Sequence, residues 1–254
     1  MKIATWNVNS VKARLSHLET YLTENRPDVL CLQELKTEEF PAASIQALGY
    51  NIEYCGQKAY NGVALLSPHP ITVTQKGLAG EDEDLQARYI EAEVQGIRVA
   101  SIYLPNGNPV ESEKYPYKLR WMARLKERAK QLLASEVPFV LAGDFNIIPE
   151  NRDAKRPEQW VNDALALPQS RSAFRAILNL GLTEAFRALH PDRAGAYSFW
   201  DYQAGAWPQD NGIRIDHLLL SPALADRLTA CDIDKTPRGW EKASDHTPVW
   251  CEVA

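Results

Sequence analysis

The stretch LAGDFNIIPE, residues 141–150, contains the end of an apolar run, PFVLA, that begins at Pro138. A run of this composition is typical of a buried β-strand, and Asp144 and Asn146 follow its closing glycine. Gly, Asp and Asn are common turn residues, so a simple turn would explain the pattern. A catalytic site would explain it too, because functional side chains are often held at the strand ends of a rigid scaffold. The rest of the sequence separates these two interpretations.

Polar residues recur at the ends of other apolar segments. They are Asn7 and Asn9, Gln33 and Glu34, Tyr103, Asp216, and Asp245 with His246. Each one taken alone could be explained without a function, as a surface residue, a cap or a satisfied pair. Asp216 is the hardest to explain in this way, because a charge inside an apolar strand is costly to bury unless it is paired. Together they predict that ionisable groups gather at one edge of a sheet.

The composition is that of a globular protein and limits its functional class. Apolar residues make up 45% of the 254 positions and charged residues 24%, which predicts a large core. The net charge of -5 argues against a generally basic nucleic-acid binder but allows a local basic groove. The four cysteines lie too far apart for a zinc or CxxC motif, so we expect reduced thiols in a soluble, cytoplasmic protein without a membrane segment.

Strands and helices alternate along the chain without strict βαβ order. Apolar spacing predicts helices over residues 11–25 and 117–133 and a short helix in SAFRAILNLGL. RYIEAEVQGIRVASIYLP reads as a hairpin that turns at Gln95 and Gly96, and IRIDHLLLS and HTPVWCEV read as the last strands. With no linker or repeat, this pattern predicts one α/β domain over residues 1–254, with mixed sheets covered by helices.

Six segments carry a resemblance to a known family. WNVNS, LQELK, YLPNG, GDFNIIP, RIDHLLLS and SDHTPV resemble, in order, the signature segments of the exonuclease III family of abasic-site DNA-repair nucleases. That family lies within the wider endonuclease/exonuclease/phosphatase superfamily, and the resemblance runs from residue 1 to residue 253. It implies a four-layered αββα sandwich of two mixed sheets flanked by helices, with the active site at one end.

The resemblance also implies a metal-dependent hydrolase and assigns roles at the site. The implied catalytic residues are Tyr103, Asp144, Asn146, Asp216, Asp245 and His246, and the implied metal-binding residues are Asn7, Glu34, Asp144, Asn146 and Asp245. Oxygen ligands favour Mg²⁺, with Mn²⁺ able to replace it. Asp144 would orient or deprotonate the attacking water, and His246 would donate to the phosphate while Asp245 holds its ring. Either Asp144 or the metal would generate the nucleophile.

The expected substrate contacts are more numerous. They are Asn9, Arg88, Asn106, Gly107, Phe199, Trp200, Gln203, Asn211, Ile213, Arg214 and Ile215, with Lys118 and Arg120 as either phosphate contacts or solvated surface charges. Phe199, Ile213 and Ile215 would form a pocket for an abasic sugar, with Trp200 behind them; the alternative is that they are core. A pocket there requires an irregular backbone in NGIRID. Some relatives insert a bulkier apolar side chain into the base stack at the position of Gln203, and a glutamine would insert less well. His217 should pack on the opposite face of the strand from Asp216.

The expected activity follows from the same resemblance. The protein would cleave duplex DNA 5′ to abasic sites and remove nucleotides or blocking groups from 3′ ends. Its partner would be double-stranded DNA carrying abasic sites or 3′ ends, bound by a monomer. One alternative is another phosphodiesterase of the same fold, such as a nonspecific nuclease or an enzyme acting on phosphoinositides or other phospholipids. A non-catalytic binding module is the other, and it would require the loss of metal- or water-handling residues.

Overall fold

A computed structural model describes residues 1–254. The strands are β1 (Lys2–Asn7), β2 (Val29–Gln33), β3 (Asn51–Cys55), β4 (Val63–Ser67), β5 (Thr72–Lys76), β6 (Tyr89–Val94), β7 (Ile97–Tyr103), β8 (Phe139–Asp144), β9 (Thr183–Glu184), β10 (Asp216–Leu220), β11 (Leu228–Ile233) and β12 (Val249–Val253). The α-helices are α1 (Leu15–Asn25), α2 (Ala42–Ala47), α3 (Lys114–Ala134), α4 (Pro168–Leu178), α5 (Ala185–Leu189) and α6 (Pro222–Ala225).

The strands form two six-stranded mixed sheets. Sheet 1 has the order β11-β12-β1-β2-β4-β3, and sheet 2 has the order β5-β6-β7-β8-β10-β9. Each sheet contains one parallel pair, β1 with β2 in sheet 1 and β7 with β8 in sheet 2. The two parallel pairs therefore end at residues 7, 33, 103 and 144, which are four of the polar strand ends in the sequence.

Three apolar layers hold the sheets and helices together. The largest, a cluster of 22 buried residues, fills the space between the sheets. A second cluster lies between sheet 2 and helices α3 and α4, and a third lies between sheet 1 and helices α1 and α2. Strands β2 and β8 are buried along their whole length because both faces are covered. The layers confirm the predicted αββα sandwich.

Three predicted helix starts differ from the structure. The short helix predicted in SAFRAILNLGL, which starts at Ser172, is α4, and it begins at Pro168. Helix α1 begins at Leu15 rather than at residue 11, because the backbone N–H of Val11 donates to Leu35 O at 3.2 Å and Ser10 has a φ of 86°. Helix α3 begins at Lys114, three residues before the predicted start. Pro116 is tolerated in its first turn because a proline there lacks only an N–H that would have no partner within the helix.

Two predicted strands begin later than expected. Strand β10 begins at Asp216, because the backbone N–H groups of Ile215 and Asp216 both donate to Ser198 Oγ at 3.1 Å. The irregular backbone in NGIRID that the pocket assignment requires is therefore present. Strand β12 begins at Val249, which leaves His246 outside the sheet in an isolated bridge to Phe199.

All four cysteines are free thiols, as predicted, and three of them are buried. No helix in the chain combines the length and the apolar character that crossing a bilayer requires.

Candidate active site

The ends of both sheets carry polar side chains to the same edge of the sandwich. In sheet 1, Asn7 pairs in register with Gln33. In sheet 2, Asp144 lies between Tyr103 on β7 and Asp216 on β10. Parallel strands place their carboxyl ends at one edge, and the antiparallel β10 starts at that edge. The register therefore assembles a site from residues that are more than 200 positions apart.

Asn7 connects the carboxylates of the two sheets. Its Nδ2 atom donates to Glu34 Oε1 at 2.8 Å and to Asp144 Oδ2 at 3.0 Å. Lys36 Nζ lies 2.9 Å from the other oxygen of Glu34. Burial opposes ionisation of Glu34, but the Asn7 amide and the Lys36 ammonium outweigh it and lower the pKa of this carboxyl. Glu34 is therefore an anion at neutral pH.

His246 lies between two buried carboxylates. Its Nδ1 atom is 2.8 Å from Asp216 Oδ2, and its Nε2 atom is 3.6 Å from Asp144 Oδ2. Burial alone would lower the pKa of His246, but the carboxylates of Asp216 and Asp144 outweigh burial and raise it. The imidazolium therefore keeps a proton on each nitrogen, and the Nε2 proton faces the site.

The pKa of Asp144 shifts in the opposite direction from that of Glu34. Burial raises the pKa of Asp144, and the Asp216 carboxylate raises it further, while the His246 ring opposes the shift. The backbone N–H of Asn146 donates to Asp144 Oδ1 at 2.9 Å and fixes the orientation of the carboxyl. A carboxylate whose pKa is raised towards neutrality is a better general base than an ordinary aspartate.

The donor set suits a hard divalent cation. One donor atom from each of Glu34, Asp144 and His246 lies within 4.8 Å of the others. Because His246 is protonated and its Nδ1 is occupied by Asp216, the ligands that remain are the carboxylates. Asn7 presents its Nδ2 to both of them, and its Oδ1 accepts from the backbone N–H of Asn9 at 3.0 Å. Carboxylate and amide oxygens are the ligands that Mg²⁺ and Mn²⁺ prefer. The residues present therefore fit the predicted type of metal.

Asp245 does not hold the His246 ring, and this corrects the sequence-based role. The Asp245 carboxylate instead accepts from Asn9 Nδ2 at 3.0 Å, and Asp216 contacts the ring. Asp245 also lies outside the Glu34, Asp144 and His246 cluster. The prediction failed because adjacent residues in an extended segment point to opposite sides, whereas the carboxylate that contacts the ring comes from β10 in sheet 2.

A turn after β8 is held by a buried lysine. Lys118 Nζ donates to the backbone oxygens of Asn146 at 2.6 Å and of Asn106 at 2.9 Å, and Asn106 Nδ2 donates to Asn146 Oδ1 at 3.2 Å. Burial lowers the pKa of Lys118 to about 7. Lys118 is fully buried, so its sequence-based option as a phosphate contact is wrong.

Tyr103 and Arg88 border the site on sheet 2. Burial raises the pKa of Tyr103 well above its usual value, and the carboxylates of Glu34 and Asp144 add to the shift. The Tyr103 hydroxyl therefore keeps its proton. The guanidinium carbon of Arg88 lies 4.7 Å from the Tyr103 ring centroid. Arg88, Asn106 and Gly107 line one open hollow of about 360 Å³ at this side of the site.

The predicted apolar pocket lies mainly beneath the surface. Ile213 and Ile215 are only 1% and 2% exposed and pack in a small cluster beside Phe199. Trp200 is fully buried, and its Nε1 atom donates to Asp210 Oδ1 at 3.0 Å. Phe199 is partly exposed, with its ring centroid 4.9 Å from that of His246. Ile213 and Ile215 therefore support Phe199 from behind, as core residues, and do not themselves reach the surface.

Of the predicted substrate contacts, Gln203 and Asn211 lie at the surface, whereas Arg214 is buried. Gln203 is exposed and Asn211 is partly exposed, so both are accessible to a substrate. Arg214 is 1% exposed, and its guanidinium contacts Asp153 at 2.9 Å and Glu184 at 2.7 Å. A substrate role for Arg214 is therefore wrong, because its guanidinium is buried and paired with these two carboxylates.

His217 packs as predicted. Its ring is buried, with centroids 5.7 Å from Phe145 and 5.2 Å from Phe174. Its Nε2 donates to the Ile147 carbonyl oxygen at 3.1 Å, and its Nδ1 lies 3.1 Å from Arg214 Nη1 and 3.3 Å from Glu184 Oε1. The ring therefore lies on the face of β10 that is turned away from the site.

Sequence reasoning missed two residues that contact the site. Lys36 pairs with Glu34, as described, and also donates to Asn9 Oδ1 at 2.6 Å. Ser198 Oγ donates to Asp216 Oδ2 at 2.6 Å, next to the His246 contact. Lys36 lies in LQELK, two residues after Glu34, and Ser198 directly precedes Phe199. Both are close in sequence to predicted site residues, but only the folded chain shows that their side chains face the site.

The two mixed sheets place the carboxylates of Glu34 and Asp144, the His246 imidazolium and the neutral Tyr103 hydroxyl at one edge of the sandwich. This combination of fold and site defines a metal-dependent phosphodiesterase. The model of the endonuclease/exonuclease/phosphatase family matches residues 4–246. The chain belongs to this family, and the predicted resemblance is confirmed.

Relatives of known activity support the same assignment. Exodeoxyribonuclease III of Haemophilus influenzae is 33% identical over 265 residues, covering 99% of each chain. An AP endonuclease from Archaeoglobus fulgidus is 38% identical, with a TM-score of 0.95 over 100% of this chain and 99% of that one. The 3′ phosphatase NExo from Neisseria, solved with a product DNA hairpin, is 40% identical, with a TM-score of 0.96 over 100% and 99%.

Proposed function

We propose that this chain is a Mg²⁺-dependent DNA-repair phosphodiesterase that cleaves duplex DNA 5′ to abasic sites and clears 3′ ends. One observation carries the proposal. Asn7 bridges the carboxylates of Glu34 and Asp144, and His246 is held beside them by Asp216. This arrangement provides a base, a proton donor and a cation site within a few ångströms. The full-length relatives named for AP endonuclease, exodeoxyribonuclease and 3′ phosphatase activities favour a DNA phosphodiester as the substrate.

Each side chain has a role that follows from its protonation state. A bound divalent cation would neutralise negative charge on the phosphoryl oxygens. Asp144 accepts a proton from the attacking water, whose oxygen bonds to phosphorus while the bond to the O3′ leaving group breaks. His246 donates its Nε2–H to a non-bridging phosphate oxygen, and Tyr103 keeps a hydroxyl proton for the phosphate or the leaving oxygen. Donors fixed in advance in a buried site stabilise developing charge without reorganisation.

The path of the DNA backbone follows from the exposed polar groups around the cluster. Arg88, Asn106 and Gly107 line the hollow beside Tyr103, and the exposed Lys114 lines it too. Asn9 Nδ2 lies 3.2 Å from the Tyr202 hydroxyl, Asn211 Nδ2 lies 3.5 Å from Gln159 Oε1, and Gln203 is exposed. We assign phosphate and sugar contacts to these groups and expect little sequence specificity, because such contacts carry no base information.

The metal role is tested by activity on a defined duplex. We expect EDTA to abolish incision of a duplex with one abasic site and Mg²⁺ or Mn²⁺ to restore it. Glu34→Gln should raise the metal concentration needed for half-maximal activity, because it removes a ligand charge. Glu93→Gln, an exposed change on β6, is the control. Full activity in EDTA, or cleavage of a phospholipid headgroup in preference to DNA, would contradict the proposal.

Abasic-site preference is tested at Phe199. A deoxyribose without a base rotates out of the duplex at low cost and fits against a small apolar surface. We therefore expect Phe199→Ala to lower abasic incision much more than exonuclease action on a paired 3′ end, with little change in Tm. Equal loss of both activities together with a large fall in Tm would show that Phe199 is a core residue.

We also propose that residues 1–254 act as one catalytic domain and as a monomer in the cytoplasm. The site supports a single domain, because both sheets contribute residues to it. Four unpaired cysteines agree with a reducing compartment.

A further inference from the structure

A layer of polar side chains lies buried between the sheets, immediately below the active site. Its members are Thr5 on β1, Gln33 on β2 and Ser101 on β7, and each is 0% exposed. We call these three residues the buried polar layer. The cluster of 22 residues beside them between the sheets consists of apolar residues and cysteines, so these polar groups need a reason to be there.

Hydrogen bonds join the layer across the two sheets. Gln33 Nε2 donates to Thr5 Oγ1 and to Ser101 Oγ, both at 3.0 Å. Ser101 Oγ then donates to the carbonyl oxygen of Leu32 at 2.9 Å. Thr5 Oγ1 lies 3.2 Å from Gln33 Oε1. Every polar atom of the layer thus has a partner, and the chain of bonds runs from sheet 1 to sheet 2 and back to sheet 1.

The layer lies one pleat below the residues that form the site. Thr5 precedes Asn7 by two positions and Ser101 precedes Tyr103 by two, so each pair shares one face of its strand. Gln33 is followed directly by Glu34, whose φ of 53° turns the chain away from the strand. The layer therefore connects the strand positions that directly precede the site residues Asn7, Glu34 and Tyr103.

We propose that the buried polar layer sets the separation between the two sheets at the active-site edge, and that Gln33 is its central positioning residue. The proposal rests on the function proposed above, in which Glu34 of sheet 1 and Asp144 of sheet 2 share one cation. Apolar contacts are non-directional and permit small sliding movements. Buried hydrogen bonds are directional and costly to leave unmade. Metal and proton-transfer geometry tolerates errors of only about 0.5 Å.

The test removes one hydroxyl without changing the shape of the core. Thr5→Val deletes the acceptor for Gln33, and Thr5→Ser keeps it. Ser101→Ala deletes the other acceptor. Val99→Ala is the matched control, because Val99 is fully buried on the same strand, two residues before Ser101, and belongs to the apolar layer between the sheets. The readouts are the Mn²⁺ dissociation constant by calorimetry, kcat and KM on an abasic duplex, and Tm.

We expect Thr5→Val and Ser101→Ala to weaken Mn²⁺ binding about 10-fold and to lower kcat by a similar factor, which is the usual effect of losing a supporting hydrogen bond. KM should change little. Thr5→Ser should restore both values, and Val99→Ala should lower Tm alone. If the two deletions lower Tm but leave Mn²⁺ affinity and kcat at the level of Val99→Ala, the layer is structural and the proposal is overturned.

A structural readout keeps this test separate from the proposed function. If the wild-type protein neither binds Mn²⁺ nor cleaves DNA, the proposed function fails. The crystal structure of Thr5→Val then decides the positioning role. A lengthening of the 3.0 Å contact between Asn7 Nδ2 and Asp144 Oδ2 would support it, and an unchanged contact would overturn it.

Discussion

His246 depends on its neighbours for both its charge and its position. Asp216 and Asp144 keep the ring protonated, and Trp6 Nε1 donates to its backbone oxygen at 3.2 Å. The Phe199 ring packs against the imidazole in a T-shaped contact, with the ring centroids 4.9 Å apart. The ring is therefore an imidazolium with a fixed Nε2 proton, whereas an unperturbed histidine, with a pKa of about 6.5, would be mostly neutral at pH 7.

Replacing His246 should affect the chemical step more than binding. We expect His246→Asn to lower kcat about 10²–10³-fold, the usual cost of losing one fixed donor. The Kd for abasic duplex should change little, because the donor acts mainly on charge that develops in the transition state. Single-turnover kinetics and fluorescence anisotropy measure the two quantities. His69→Asn, at a partly exposed histidine bound to Asp28, is the control. Near wild-type turnover in His246→Asn would refute the role.

At the scale of elements, the loop after β7 depends on close packing at one glycine. Gly107 has a φ of 92°, and a Cβ there would lie 2.7 Å from Lys118 Cδ and 3.0 Å from Ala164 Cβ. Gly96, in the hairpin between β6 and β7, has a similar φ of 77° with no atom within 4 Å of such a Cβ. The two glycines share the left-handed conformation but differ in crowding.

This difference gives a matched pair of substitutions. Both Gly107→Ala and Gly96→Ala should destabilise the protein through the positive φ. Gly107→Ala should cost about 1–3 kcal/mol more, because its methyl group overpacks against Lys118. It should also weaken DNA binding, since the displaced lysine supports Asn106. Urea unfolding and anisotropy measure these effects. Equal destabilisation by the two changes would show that the contact with Lys118 is not restrictive.

A second element-scale feature joins helix α3 to sheet 2. The Glu91 carboxylate on β6 is fully buried and contacts Arg128 at 2.7 Å and Arg98 at 3.0 Å. Tyr89 OH donates to it at 2.6 Å. Burial opposes ionisation, but these donors outweigh it and lower the pKa of Glu91 to about 2.

The lowered pKa of Glu91 predicts how stability depends on pH. The pKa of Glu91 is about 2 in the folded state and has its ordinary value of 4.5 in the unfolded state. The stabilisation that the ionised carboxylate gives the folded state is therefore complete above pH 4.5. It is lost as the pH falls from 4.5 towards 2. Urea unfolding should therefore show Glu91→Gln less stable than wild type by about 3 kcal/mol at pH 7, with the gap narrowing below pH 4. Glu127→Gln, an exposed control on α3, should show no such pH dependence. A gap that stays constant from pH 7 to pH 3 would contradict the prediction.

At the scale of the whole molecule, the active site lies across the two halves of the sandwich. Glu34 comes from the end of a sheet 1 strand and Asp144 from the end of a sheet 2 strand. A cation held by both carboxylates would therefore connect the sheets directly. Ligands that bind only the folded state raise its stability in proportion to RT ln(1 + [L]/Kd).

Metal binding should accordingly stabilise the entire fold. We expect Mg²⁺ or Mn²⁺ to raise the Tm of the wild-type protein in one cooperative transition. At 100 times the Kd the gain is about 2.7 kcal/mol in unfolding free energy. Glu34→Gln should lose most of the shift, while Glu93→Gln should keep it. Differential scanning calorimetry with and without EDTA measures it. A metal-dependent shift that is unchanged in Glu34→Gln would place the cation elsewhere.

Local patterns in the sequence determined the elements and much of the site. The hairpin turn at Gln95 and Gly96 follows from its composition, and both residues have positive φ as such a turn requires. Apolar runs determined the core strands. The polar residues at the strand ends, among them Asn7, Glu34 and Asp144, also stand out in the local pattern. These features depend on residues that are near one another in the chain, so they can be read from it.

Only the tertiary structure decided which side chains meet. Asp216 rather than the adjacent Asp245 holds His246, because β10 brings its carboxylate across from another strand. Arg214 is buried against Asp153 and Glu184, which a charge pattern cannot show. Such contacts depend on the register and packing of segments far apart in sequence. Burial and pairing then determine which charges remain free to bind DNA and which only hold the fold together.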